Sequence, residues 1–89
     1  MNIPAEKPDV IELKVDGSQV DYFRSLDIHP SQEETVTEAG YSVFRYRLVP
    51  NYEFIQEILS RGSTVEVLSP ASLRETLVAE IRKMMEKYA

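Results

Sequence analysis

Residues 41–51 read YSVFRYRLVPN, a stretch in which apolar and polar side chains alternate. Alternation of this kind is the period of a β-strand that buries one face, so Phe44, Tyr46 and Leu48 are predicted to face a core. Asn51 follows a proline and is a favourable helix N-cap. The stretch therefore predicts a strand that ends at the proline and leads directly into a helix.

The segments on either side continue this pattern. Similar alternation predicts two further strands, 10–15 and 64–68. Residues 31–38 are polar throughout, and their only strand formers, residues 35–37 (TVT), predict a weak strand at a sheet edge. Apolar residues at helical spacing predict three helices: 18–26, 52–61 and 70–88. Ser18 is the predicted N-cap of the first helix and Ser69 that of the last, with Ser72 and Glu75 as a second capping register.

The predicted order is strand, helix, strand, strand, helix, strand and a final helix, which is the split βαβ pattern. It predicts an α+β fold of the ferredoxin-like βαββαβ type with an additional C-terminal helix. Right-handed crossovers place the first and third strands at the centre of the sheet and the first two helices on one face. The second and fourth strands are then the edges.

Length and composition limit the molecule to one domain. The chain has 89 residues, of which 43% are hydrophobic and 28% charged. Residues 1–8, with prolines at 4 and 8, are expected to form a disordered lead or linker before a domain at 9–89. No run approaches the roughly 20 apolar residues of a membrane span, and the N-terminal residues do not form an export signal. A cytoplasmic protein without membrane association is expected.

The charges are unevenly distributed. The formal net charge of −5 argues against general nucleic-acid binding, because that affinity scales with the phosphates neutralised by Lys and Arg. Residues 1–40 carry three basic and nine acidic residues, whereas residues 41–89 carry seven basic and six acidic ones. A locally basic surface is therefore expected only in the second half.

Side chains suited to catalysis or metal binding are sparse. His29 is the only histidine, and the chain has no cysteine to complete a zinc site or to act as a nucleophile. Glu33 and Glu34 are adjacent in a strand, so they point to opposite faces and cannot act together as acid and base. No glycine-rich phosphate loop is present. We expect no enzymatic activity, no metal and no cofactor.

Arg45 and Arg47 are the most informative polar pair. At positions i and i+2 of a strand, both side chains leave the same face about 7 Å apart, a spacing suited to an anionic ligand. Lys14 is predicted to share that face, and His29 in the connection after the first helix is the remaining ligand candidate. The alternative is neutralisation of the arginines by cross-strand carboxylates: Glu12, Glu33 or Glu66.

The last helix carries an apolar stripe: Leu73, Leu77, Ile81, Met84, Met85 and Tyr88. Such spacing usually indicates packing in the core, and this is the favoured interpretation. The alternative is that Met84, Met85 and Tyr88 contact the open sheet face or a partner, including a second copy of the chain. Dimerisation therefore stays open.

Several segments together resemble the C-terminal extension, or WCX domain, of bacterial WYL-domain transcriptional regulators. The matching segments are 26–32 (LDIHPSQ), 43–53 (VFRYRLVPNYE), 58–70 (ILSRGSTVEVLSP), 73–77 (LRETL) and the terminal helix ending at Tyr88. The most diagnostic is ILSRGSTVEVLSP. Such regulators commonly carry an acidic residue before the proline, where this chain has Ser69.

The resemblance implies a regulator with an N-terminal winged-helix domain, a central WYL domain and this extension. The first two are absent from the 89 residues, so the chain resembles an excised fragment, and DNA contact is expected only through the missing winged-helix domain. In the family, the WYL and extension domains are associated with dimer contacts and with sensing an effector, in some members a nucleic acid or nucleotide.

We therefore expect an effector-sensing or dimerising module of a bacterial transcription regulator. An anionic or nucleotide-like effector would contact Arg45, Arg47, Lys14 and His29. One alternative is a purely structural interaction module that binds no ligand. Another is a hydrolase of the acylphosphatase type, which is disfavoured because the turn at 16–18 begins with an acid and lacks an arginine.

Overall fold

The computed structural model describes residues 8–26 and 28–89. The predicted lead at 1–8 lies outside the described residues except for Pro8. The observed elements are β1 (Asp9–Asp16), α1 (Gly17–Ser25), β2 (Glu33–Thr37), β3 (Tyr41–Leu48), α2 (Tyr52–Ser60), a 3-10 turn (Gly62–Thr64), β4 (Val65–Ser69) and α3 (Ala71–Tyr88). The order agrees with the prediction, and each boundary of a helix or strand differs from it by two residues or fewer.

The four strands form one antiparallel sheet in the order β2-β3-β1-β4. As predicted, β1 and β3 are central and β2 and β4 are the edges. The register places Arg45 between Glu12 of β1 and Glu33 of β2. Farther along β3, Arg47 faces Val10 of β1, but β2 has no residue paired with it.

The core lies on one face of the sheet. Alternate strand residues supply one half of it: Ile11, Leu13, Val15, Phe44, Tyr46, Leu48, Val65 and Val67. The helices supply the other half through one pair of residues each: Val20 and Phe23, Phe54 and Ile58, and Leu73 and Leu77. Because all three helices contribute to the same cluster, the opposite sheet face carries no described helix.

Two of the predicted helix caps are wrong. The N-cap of α1 is Asp16, whose carboxylate accepts a hydrogen bond from the Ser18 backbone N–H at 3.5 Å. α3 begins after Pro70 without a side-chain cap. Ser69 is instead the last residue of β4, and its hydroxyl donates to Glu12 Oε1 across the sheet at 3.3 Å. The predicted cap of α2 is confirmed, since Asn51 Oδ1 accepts from the Phe54 N–H at 2.8 Å.

The apolar stripe of α3 is divided between two environments. Leu73 and Leu77 are buried in the core, whereas Met84 is 49% exposed, Met85 67% and Tyr88 91%. An 18-residue helix is about 27 Å long, whereas a five-residue strand such as β4 spans only about 17 Å. The helix therefore extends beyond the strand that it packs against, and the favoured prediction that the whole stripe enters the core is wrong.

Candidate functional site

The four predicted ligand residues are separated in the structure. Arg45 donates from Nη2 to Glu33 Oε1 at 2.9 Å, and both side chains are solvent exposed. This is the cross-strand neutralisation that the sequence left open as an alternative. Arg45 is therefore not an unpaired cation.

Lys14 lies on the outer sheet face, the face opposite the core, toward the end away from Arg47. Its ammonium is 4.7 Å from the centroid of the Tyr41 ring, a cation–π contact. Lys14 is paired with Val43 in the sheet register, and Val43 is four residues from Arg47 on the same strand. That offset corresponds to about 13 Å. Lys14 and Arg47 therefore do not form one compact site.

Arg47 and His29, by contrast, line the same cavity, which has a volume of about 620 Å³. It lies where the end of β3 meets the 26–29 connection and the first turns of α2. No carboxylate among residues 8–26 and 28–89 is within ion-pair distance of the Arg47 guanidinium, which is exposed. Within the described chain, this is the one place where two predicted ligand residues come together.

A short hydrogen-bond chain connects these two residues through Ser31. The backbone N–H of Arg47 donates to Ser31 Oγ at 2.8 Å, and Ser31 Oγ lies 2.7 Å from His29 Nδ1. The Ser31 backbone N–H also donates to His29 Nδ1, at 3.1 Å. Because a backbone N–H can only donate, Nδ1 must be an acceptor, and in the neutral imidazole the proton is on Nε2.

A second contact anchors the same connection on the core side. The buried Tyr46 hydroxyl donates to Gln32 Oε1 at 2.8 Å, and Gln32 Nε2 donates to the Phe23 carbonyl at 2.9 Å. Burial raises the pKa of Tyr46, and the negative charge of Glu57 raises it further, so the phenol stays protonated and remains a donor. The segment that carries His29 is thus hydrogen-bonded both to the end of β3, through Ser31, and to the core residues Tyr46 and Phe23, through Gln32.

Two carboxylates of α2, Glu53 and Glu57, also line the cavity. Glu57 is neutralised, because it accepts a hydrogen bond from Arg61 Nη2 one turn later, and this contact raises the pKa of Arg61. Glu53 has no cationic partner within ion-pair distance among the described residues. Of the described residues that line the cavity, one positive and one negative side chain therefore have no ion-pair partner.

The wall of the cavity formed by α2 is held against α1 by Arg61. Its guanidinium stacks 4.3 Å from the centroid of the Tyr22 ring and donates to the Tyr22 hydroxyl at 3.2 Å. Together with the Glu57 contact, the arginine connects two side chains, Tyr22 of α1 and Glu57 of α2. These contacts connect α1 to the end of α2, although β2 and β3 lie between the two helices in the sequence.

Charges on the helix side of β2 are also fully paired. Glu34 accepts from Arg24 Nε at 2.8 Å and from Arg24 Nη2 at 2.9 Å. It also accepts from the hydroxyls of Ser42, at 2.7 Å, and Thr37, at 2.8 Å. These donors, Arg24 first, lower the pKa of Glu34 to about 2 from its usual value of 4.5. The contacts join edge strand β2 to helix α1 and have a structural role.

The predicted interface residues Met84, Met85 and Tyr88 lie on the exposed half of α3. Their helix also borders a second cavity, of about 580 Å³, between α3, β4 and the end of α2. Its lining is mostly apolar and includes Ile58, Val67 and Met84. This region contains no group suited to recognising a specific ligand charge except Arg74 and Glu66, which pair with each other at 3.6 Å.

Sequence reasoning did not identify Ser31, Glu53 or Arg61 as part of a site. The position of Ser31 two residues after His29 is a local signal, because a serine at that spacing can bond the imidazole. Glu53 and Arg61 carry no such signal, since their roles depend on which side of α2 faces the 26–29 connection. Within the described residues, no group of three potential metal ligands occurs, and no helix is both long and apolar enough to span a membrane.

The comparisons with known proteins give one match. The family model described as the WCX domain matches residues 7–85, which include the cavity residues His29, Arg47 and Glu53. No curated protein matches the chain. The match extends over the whole sheet and most of α3, in agreement with the resemblance seen in the sequence. The chain belongs to the WCX domain family, which indicates a module of WYL-type regulators.

Proposed function

We propose that this domain is an effector-sensing module of a WYL-type transcriptional regulator, and that it binds an anionic effector in the cavity lined by Arg47 and His29. In this proposal the module acts by binding and not by catalysis. DNA is contacted by a winged-helix domain elsewhere in the regulator. The proposed site is smaller than the one expected from the sequence, because Arg45 and Lys14 are excluded from it.

One observation carries the proposal: Arg47 has no carboxylate partner among the described residues, whereas Arg24, Arg45, Arg61 and Arg74 each have one, and Arg82, the other arginine without one, does not line this cavity. A guanidinium forms strong, often bidentate hydrogen bonds with carboxylate and phosphate groups. An exposed arginine by itself is common. Arg47 differs because it borders a cavity large enough for a small ligand, together with a histidine whose orientation is fixed.

The position of the cavity suggests how binding could be transmitted. Arg47 leaves the sheet on the face that carries no described helix, and the cavity that it lines also includes residues of α2 from the other face, so the cavity lies at the end of the sheet. A ligand there could contact this domain and a neighbouring WYL domain at once. If the ligand bound one relative arrangement of the two domains more tightly than another, it would shift the population toward that arrangement and so change DNA affinity.

The experiment that tests this proposal is a titration of the 89-residue chain with inorganic phosphate, AMP and citrate, followed by amide NMR. We expect saturable shifts at the Arg47 and Ser31 amides for at least one anion. Arg47→Gln should weaken that binding about tenfold or more, the loss expected for one charge-assisted hydrogen bond.

Arg45→Gln is the matched control, because it removes an arginine two residues away on the same strand and face. It should leave the affinity within about twofold of the unsubstituted chain, since its charge is already paired with Glu33. Equal loss of affinity in the two variants would show that the anion binds the sheet face in general, and absence of saturable binding by these anions and by any carboxylate-bearing peptide would reject the proposal.

A second candidate function is self-association through α3. Five large apolar side chains are exposed along this helix: Val78, Ile81, Met84, Met85 and Tyr88. Solvent-exposed apolar patches of this kind mark interaction surfaces. Sedimentation of the chain and of Met85→Glu tests this function, because burying a charge in a dimer interface should dissociate it. A chain that sediments as a monomer at all concentrations would exclude it.

We also propose that the domain is a ferredoxin-like sandwich. Two features support this assignment: β1 and β3 are the central strands of the antiparallel sheet, and the helices α1 and α2 pack into one core on one face. Superposition of an experimental structure on ferredoxin-like domains would test it.

A further inference from the structure

We infer that the effector of this site is a zwitterion with an apolar body, of the type represented by a hydrophobic dipeptide. This inference rests on the proposed function and adds to it the second charge of the ligand. It comes from the other side of the same cavity, where Glu53 is the counterpart of Arg47. A simple anion would leave Glu53 without a partner.

The two acidic residues that line the cavity differ in their partners. Glu57 is held by Arg61 on the side of α1, so its charge is already balanced. Glu53 is exposed, lies in the first turn of α2, and is not within ion-pair distance of any base in the described chain. The first turn of a helix favours a carboxylate, which accounts for its presence there but does not neutralise its charge.

Among the described residues that line the cavity, Arg47 and Glu53 are the two charges without an ion-pair partner, and they do not pair with each other. Two opposite charges that line one cavity without contact can be satisfied together by a ligand that carries the complementary pair. The guanidinium would hold a carboxylate, and Glu53 would accept hydrogen bonds from an ammonium group. A ligand that carries only a negative or only a positive group would neutralise one of these two side chains and leave the other without a partner.

His29 adds a third recognition group. Its Nδ1 is occupied by the Ser31 backbone and hydroxyl, so in the neutral ring Nε2 carries the proton and has no partner among the described residues. The imidazole is thus restricted to the role of donor toward anything bound in the cavity. Donors from His29 and Arg47 suit a carboxylate, which has four lone-pair sites to fill.

The remaining lining is apolar, which indicates the body of the ligand. Leu26, Ile28 and Val49 are among the lining residues, and Phe54 contributes a buried aromatic ring. A cavity of about 620 Å³ lies within the usual size range of small-molecule sites and exceeds what a single amino acid needs. A dipeptide with two aliphatic side chains combines this size with a carboxylate at one end and an ammonium at the other.

The test uses three probes that differ only at their ends: leucyl-leucine, N-acetyl-leucyl-leucine and leucyl-leucine amide. The acetylated probe lacks the ammonium, and the amide lacks the carboxylate. Binding to the 89-residue chain is measured by amide NMR titration at Ser31, Arg47 and Glu53. We expect leucyl-leucine to bind about tenfold more tightly than either blocked probe, because each blocked probe loses one charge-assisted contact.

Two variants assign each end of the ligand to its residue. In Glu53→Gln, leucyl-leucine and its acetylated form should bind equally well, because the partner of the ammonium is gone. In Arg47→Gln, leucyl-leucine and its amide should bind equally well. Glu75→Gln, at an exposed position of α3, is the control and should keep both preferences. The amide spectrum of each variant also verifies that it is folded.

The outcomes separate this inference from the proposed function. If N-acetyl-leucyl-leucine binds as tightly as leucyl-leucine, the zwitterion inference is wrong, while an anion site at Arg47 stands. The same conclusion holds if phosphate or AMP binds at Arg47 but none of the three peptides does. If neither the peptides nor the simple anions bind, both are wrong.

Discussion

The outer side of strand β3 contains two arginines in very different surroundings, and they divide the domain into two regions. At Arg45, the edge strand β2 is still present, and its first residue Glu33 supplies a carboxylate at 2.9 Å. Two residues later, β2 is absent, and the Arg47 backbone N–H donates to the Ser31 hydroxyl, while the Arg47 side chain has no carboxylate partner in the part of the chain that the structure describes. The difference arises from the length of the edge strand and not from β3 itself.

The comparison extends beyond these two residues. The region around β2 has paired charges on both faces, Arg45 with Glu33 on one and Arg24 with Glu34 on the other. The region at the end of β3 has free charges that border a cavity. We conclude that the first region is structural and the second is suited to binding. The following predictions test this division, beginning with the largest expected effect.

Glu34→Ala should be the most destabilising of the four changes considered. It removes an acceptor that serves Arg24, Thr37 and Ser42. The free energy of unfolding should fall by about 1–2 kcal/mol, because the buried Ser42 hydroxyl loses its partner. The lost ion pair with Arg24 adds little to this value, since Arg24 is exposed to solvent. Urea unfolding measures the change. Glu38→Ala, at an exposed position just after β2, should change stability by less than about 0.5 kcal/mol. Equal effects would refute the structural role of Glu34.

The same carboxylate predicts a pH dependence. Its pKa is about 2 in the folded chain and 4.5 without the contacts, so its stabilising contribution is complete above pH 4.5 and is lost as the pH falls toward 2. The difference in unfolding free energy between the unsubstituted chain and Glu34→Gln should therefore shrink over that window. Denaturation curves at intervals from pH 6 down to pH 2 measure it, and a difference independent of pH would contradict the prediction.

Ser31→Ala should loosen the binding region without unfolding the domain. It removes the acceptor of the Arg47 N–H and a hydroxyl bonded to His29, with an expected stability loss of about 1 kcal/mol or less. Amide hydrogen exchange at Arg47 should become faster, because that N–H is then open to water. Ser25→Ala removes a hydroxyl bonded only within α1 and should leave exchange at Arg47 unchanged. Unaltered exchange in Ser31→Ala would show that the serine does not fix this end of β3.

Glu33→Gln should have the smallest effect on stability, within about 0.5 kcal/mol, because exposed ion pairs contribute little. It nevertheless sharpens the comparison, since it gives Arg45 the unpaired character of Arg47. Anion binding in this variant should remain insensitive to Arg45→Gln, within about twofold, because Arg45 does not line the cavity even when its charge is unpaired. If Arg45→Gln weakens binding in the Glu33→Gln background, then a free charge alone, and not the cavity, is what makes Arg47 a ligand residue.

Much of the fold was predictable from periodicity. Phe44, Tyr46 and Leu48 were expected in the core, and they are buried there because a half-buried strand exposes every second residue. The cap at Asn51 was also correct. The predicted caps at Ser18 and Ser69 were wrong, because more than one polar residue at each turn can act as a helix cap. Asp16 caps α1 in place of Ser18, and the Ser69 hydroxyl donates to Glu12 and does not cap α3.

The candidate site was predictable only in part. Arg47 and His29 were identified as candidates, but the sequence grouped them with Arg45 and Lys14, which the structure places elsewhere. The pairing of Arg45 with Glu33 depends on the register between β2 and β3, which includes an irregularity between Glu34 and Val36. Composition cannot specify such a register, because several carboxylates on the flanking strands would serve equally well.

The amino-acid sequence by itself determined the order of helices and strands, the buried face of each, and membership of the WCX domain family, because these depend on local periodicity and on contiguous motifs. Only the tertiary structure decided which charges are paired and which remain free. Pairing requires two side chains from distant segments to lie within about 4 Å of each other. Whether they do depends on the tertiary structure, for example on where β2 ends and on how Arg61 connects α2 to α1.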